Sequence, residues 1–97
     1  FYTKVGDAPE VIYYTKMDMS SDNWNDWPTE TPSILLKPEM DWEGANLPIK
    51  ASMRGESGIP VNELRDPDVF QDTDGQLYLL YTGQGEQHIG IAQLEMK

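Results

Sequence analysis

The stretch QLYLLYT (76–82) constrains the fold more than any other part of the chain. Its apolar and aromatic residues do not alternate with polar ones, so both faces of such a strand require cover. One sheet cannot cover both of its own faces, and the chain is therefore expected to stack sheets. HIGIAQL (88–94) sorts Ile89 and Ile91 to one face and Gly90, Ala92 and Leu94 to the other. Small residues on a strand face let another sheet approach closely.

No segment sustains a helical period. FYTKV (1–5), VIYYTKMDM (11–19), SILL (33–36), DVFQD (68–72) and the continuation HIGIAQLEM (88–96) also read as strands. GDAPE (6–10), DTDG (72–75) and GQGEQ (83–87) read as turns between them. SSDNWNDWPTETP (20–32) is a polar loop carrying two tryptophans. From Pro38 to Arg65 there is no period, and Pro48, Pro60 and several glycines interrupt it. Loops of that length in compact domains are functional or disordered. The expected fold class is all-β, with antiparallel β-meander sheets. YTKVGD from Tyr2 and YTGQGE from Tyr81 share Tyr, Thr, Gly and an acidic residue at the same offsets. Each precedes an apolar strand ending in an acidic residue and Met (MDM and LEM). A repeated meander is the pattern of stacked blades.

Composition narrows the partners. The 97 residues suffice for one small domain, and 38% hydrophobic content makes a thin core. A net charge of −10 repels nucleic-acid backbones and anionic membranes. Neutral ligands such as sugars, or cations, fit better. The absence of cysteine excludes disulfides and cysteine-type zinc sites and leaves the compartment open. No apolar run approaches transmembrane length. The chain opens on Phe1 in what reads as the middle of a strand, which suggests a piece cut from something longer.

RDPDVFQDTDGQLYLLYTGQGEQHIGIAQL (65–94) resembles a blade of the five-bladed β-propeller glycoside hydrolases, a group that includes families 32, 43 and 117. There, DP and an apolar residue open the innermost strand, followed by a DG turn and a strand of the YYLFYT type. The corresponding residues are Asp66-Pro67, Asp74-Gly75 and Leu77–Thr82. DWEGANLP and ELRDP extend the similarity upstream. The resemblance implies about one and a half to two terminal blades, since a whole propeller needs roughly three times this length. It divides the chain into a penultimate blade (1–37), a long connecting loop (38–65) and a last blade (66–97). Such enzymes draw a nucleophile or base Asp from the first blade and a general-acid Glu from a middle blade, and neither blade is present in this reading.

Strands of a meander alternate in direction, so their turns alternate between two ends. One end is expected to collect Asp7, Glu10, Arg54, Glu56, Glu63, Arg65, Asp66, Glu86 and His88. The resemblance puts a sugar funnel there, with Arg65 and Asp66 nearest it. Asp66 is the catalytic candidate: beside Arg65 it would stay ionised, accept hydrogen bonds from hydroxyls and stabilise an oxocarbenium-like transition state. Equally, Asp before Pro initiates a turn, and Arg65 is suited to a structural tie between blades. Trp42 would stack on a sugar ring or plug the gap between blades. Arg54, Glu86 and His88 complete the substrate-binding candidates, although a surface or capping role suits His88, the single histidine, better. DTDG has too few ligands in register for calcium and reads as a tight turn; no metal and no cofactor is expected. Trp24 and Trp27 are expected to pack under their loop, and Tyr13, Tyr14, Tyr78 and Tyr81 to pack in the core and between blades.

Two functions compete. One is a glycosidase-like enzyme segment, inactive alone, whose partners are a carbohydrate and either the missing N-terminal blades or copies of itself. The other is a non-catalytic carbohydrate-binding or scaffold propeller segment, which the fold alone does not distinguish from the first. Phosphorolysis would need a phosphate site richer in cations.

Overall fold

A computed structural model describes residues 1–95. The chain is all-β: two antiparallel sheets, and no α-helix among the described residues. The first sheet pairs β1 (Ile12–Tyr14) with β2 (Ser33–Leu36), and Tyr2 adds an isolated antiparallel bridge to Tyr13. The second is the meander β3 (Leu64–Gln71), β4 (Leu77–Gly83) and β5 (His88–Leu94). Single-turn 3-10 helices occupy Trp24–Asp26 and Asp41–Glu43.

The meander forms where sequence and turn chemistry agree. Asp72 accepts from the Gly75 amide and donates its own to Gln76, closing DTDG as a tight hairpin turn with Gly75 at φ 88°. β4 alternates as the pleat requires: Leu79, Tyr81 and Gly83 are buried on one face, and Tyr78, Leu80 and Thr82 lie on the other. The core joins Leu79 and Tyr81 to Leu64 of β3 and Ile12 of β1, with Leu35, Leu36, Ala92 and Leu94 packed around them. Both leucines of β2 can face inward because the register slips between Ile12 and Tyr13, which pair with Leu36 and Ile34.

Two expected strands are shorter than read. Residues 1–5 hold only the bridge at Tyr2, and 11–19 keep only Ile12–Tyr14 plus a bridge from Met17 to Thr29. Their backbone groups are bound elsewhere. Gly6 donates to Ser52 Oγ, Ser52 donates to the Asp7 carbonyl, and Leu64 donates to the Glu10 carbonyl. GDAPE turns the chain back as expected, the Asp7 amide donating to the Lys4 carbonyl between the bridged Tyr2 and Tyr13, and it also docks the long loop and β3. β3 begins at Leu64, ahead of the expected Asp68, because it runs through Asp66-Pro67 as a bulge. The Met96 of the expected strand 88–96, with its share of the LEM repeat, lies outside the described residues.

The small face of β5 receives a side chain, not a sheet. A Cβ on Gly90 would strike the Trp42 ring and Tyr81, and one on Gly83 would meet Trp42 and Glu43. Segment 38–63 is therefore an ordered strap across the meander. Glu43, buried, accepts from the Glu39 and Met40 amides through Oε1 and from the Tyr81 hydroxyl through Oε2 at 2.8 Å. Burial first, and this carboxylate second, push the Tyr81 phenol well above its ordinary range.

Candidate functional site

The bulge in β3 sets the site. Arg65 pairs with Thr82 and Asp68 with Leu80, so Asp66 and Pro67 together oppose one residue of β4. Asp66 adopts φ 52°, the left-handed region. A glycine ordinarily occupies the left-handed position of such a bulge, and the residue before proline is pushed toward extended backbone. Asp66 breaks both preferences. It is exposed, and the Thr82 hydroxyl lies 3.4 Å from its carboxylate and 3.1 Å from the Arg65 carbonyl.

Arg65 is buried, with 8% of its surface exposed. Its Nε and Nη2 both reach one Glu63 oxygen at 2.8 Å. Glu10 and Glu86 approach at 3.6 Å each. Nη1 donates to the Gly55 carbonyl and Nη2 to the Met53 carbonyl, at 2.7 and 3.1 Å. The ion pairs of Arg65 are with these three glutamates, and Asp66 is not among them. The expectation that Arg65 acts as the counter-ion of Asp66 is corrected accordingly: the guanidinium ties β3, the strap and the 84–87 turn together. One Glu10 oxygen, Oε2, is buried without a hydrogen-bond donor.

Of the residues assigned to one end, Glu10, Glu63, Arg65 and Glu86 meet in this cluster, whereas the Asp7 carboxylate accepts from the Tyr13 hydroxyl at 2.6 Å and Glu56 is exposed on the strap. Arg54 is exposed at the apex between the two carbonyls that Arg65 holds. His88 is exposed at the start of β5, opposite Gly83. Trp42 stacks on Tyr81 at 6.0 Å between ring centroids and remains 37% exposed, so it packs the strap down and keeps one edge in solvent. Trp27 is anchored through its indole to the Ser21 carbonyl, whereas Trp24 is exposed, contrary to the packed position expected for it. Sequence reasoning missed Glu43. Its only signal is a carboxylate in a turn directly after Trp42, with no indication of Tyr81 as its partner. Among the described residues, no group of three or more His, Asp or Glu is arranged to hold a metal ion.

The fold and site define an all-β meander chain with an exposed carboxylate on a strained bulge. No family model matches the chain, and no solved structure matches it. It is 46% identical over 93 residues to "Uncharacterized protein R118" of Acanthamoeba polyphaga mimivirus. The match covers 95% of this chain and 26% of that protein, so the chain spans about a quarter of the relative's length.

Proposed function

We propose that the chain is a segment of a carbohydrate-active, glycosidase-like β-propeller, in which Asp66 contacts the sugar. The observation that carries this reading is the Asp66 backbone. A non-glycine residue held at positive φ before a proline costs about 1–3 kcal/mol and persists where the position serves a purpose. Bulges of this kind re-aim side chains beside active sites. A carboxylate so presented accepts hydrogen bonds from hydroxyls and stabilises positive charge building on a sugar ring. Arg65 takes the structural part, because its donors are occupied by Glu63 and by the strap. The blade arrangement is supported by strand order: a bridge with β1 and β2 reads as the end of one blade, and β3 to β5 as the start of the next.

Titration of the chain with a panel of neutral oligosaccharides, followed by amide NMR, tests the reading. Shifts centred on Asp66 and Thr82 that vanish in Asp66→Asn support it. Shifts that survive in Asp66→Asn, or an unresponsive spectrum across the panel, overturn it.

A further inference from the structure

The Asp66 carboxylate stands at the edge of an aliphatic patch. The Thr82 hydroxyl lies 3.4 Å from it. Thr82 is registered opposite Ile89, and the next pair along the same face is Leu80 with Ile91. Directly opposed residues of an antiparallel pair share a face, with Cβ atoms about 5 Å apart. Ile89 is 78% exposed and Ile91 64%, where a solvated sheet face normally carries polar residues. The aromatic pair Phe70 and Tyr78 lies further along β4, about 13 Å from Thr82 at the ordinary strand rise. A ring held at Asp66 therefore has aliphatic side chains beside it and no aromatic one to stack on.

Given the sugar contact at Asp66, on which this rests, we infer that the ligand is a neutral glycoside with an apolar aglycone. Its ring hydroxyls bind at Asp66 and Thr82, and its aglycone lies over Ile89, Leu80 and Ile91. The charges select the head. Arg65, the adjacent cation, is committed to Glu63 and to the Met53 and Gly55 carbonyls, so it offers nothing to an acidic sugar or a phosphate. Asp66, and Asp68 opposite Leu80, repel such anions. The patch selects the tail. Hydroxyls of a second sugar laid over Ile89 and Ile91 would leave water without gaining a partner, whereas hydrocarbon is favoured there by leaving water.

Amide NMR titration of the 97-residue chain with methyl and hexyl glycosides of glucose, galactose and xylose, and with hexanol, tests this. All are kept below micelle-forming concentrations. The hexyl glycoside is expected to bind about tenfold tighter than the methyl glycoside of the same sugar, as burial of about two methylenes would give. Its shifts extend from Asp66 and Thr82 to Ile89 and Ile91, and they vanish in Asp66→Asn. Ile91→Thr, which keeps a β-branched residue at this exposed position, removes most of the hexyl advantage. Equal affinity of methyl and hexyl glycosides, with shifts confined to Asp66 and Thr82, overturns the apolar aglycone and leaves the sugar contact standing. Hexanol that binds as tightly as the hexyl glycosides, or hexyl binding that survives in Asp66→Asn, overturns both. So does a spectrum that no glycoside shifts.

Discussion

At the scale of single residues, Asp66 and Arg65 make opposite demands on stability. Asp66 occupies a glycine-type position without glycine's freedom. Asp66→Gly is expected to stabilise the chain by about 1 kcal/mol, raising Tm by about 4–8 °C, while removing the proposed sugar contact. A urea midpoint that falls in this variant would show that the bulge is not strained. Arg65 behaves in the reverse sense. Replacing it by Met leaves Glu10 and Glu63 buried without their cation, at a cost of about 3–5 kcal/mol. Arg65→Lys does not rescue it, since an ammonium cannot span Glu63 and the carbonyls of Met53 and Gly55 together. Circular dichroism during urea unfolding reads both. The sequence pointed to Arg65 and Asp66 through the charged pair before Pro67, and it grouped Glu10 and Glu86 with them by counting turns. It did not reveal that Arg65 turns to the glutamates. That choice depends on the backbone direction after a bulge, which residue types alone do not specify.

At the scale of elements, the strap and β4 share a titratable joint. The neutral Tyr81 phenol is favoured in the folded chain by burial and by Glu43. A phenol whose value rises on folding contributes stability in full below the unfolded value near 10.0, and that contribution is lost as pH climbs beyond it. The chain is expected to hold a flat Tm through neutral pH and to lose stability above about pH 10. In Tyr81→Phe this alkaline slope should become shallower, with the remainder carried by Tyr13, whose phenol is raised by its hydrogen bond to Asp7. The same variant should be weaker at neutral pH by about 1–3 kcal/mol, because Glu43 loses a buried donor. Thermal melts of both proteins from neutral to alkaline pH decide it. Gly90→Ala should also loosen the strap, by about 1–3 kcal/mol, since its methyl meets the Trp42 ring and Tyr81; quenching of Trp42 fluorescence reports that motion. SILL was legible as β2, and 76–82 and 88–94 as β4 and β5, since local pattern and long-range pairing agree there. FYTKV and most of VIYYTKMDM carry equally good strand residues but find loop partners instead, and β-propensity answers to context in this way.

At the scale of the whole molecule, two sheets enclose a small core of Ile12, Leu64, Leu79 and Tyr81 and leave apolar outer faces. QLYLLYT foretold a strand needing cover on both sides, and one of those covers is supplied within the chain. Because the proposed role of Asp66 is an ionised sugar contact and not protonation of a leaving group, the chain alone is expected to show no turnover on a panel of aryl glycosides. Activity that survives repurification and disappears in Asp66→Asn would refute this. The all-β class was readable from the sequence. The strap was not, because its anchors lie far apart along the chain, Gly6 from Ser52 by 46 positions and Glu43 from Tyr81 by 38.

Those separations also imply an order of events. β3, β4 and β5 are joined by tight turns, so their pairing closes only short loops and needs little search. The strap must close far longer ones before Glu43 or Ser52 finds its partner. The meander should therefore assemble first, with the strap and then β1 and β2 condensing onto it. Pulsed hydrogen exchange during refolding should protect the amides of Leu79 and Tyr81 before those of Ser52 and Tyr13.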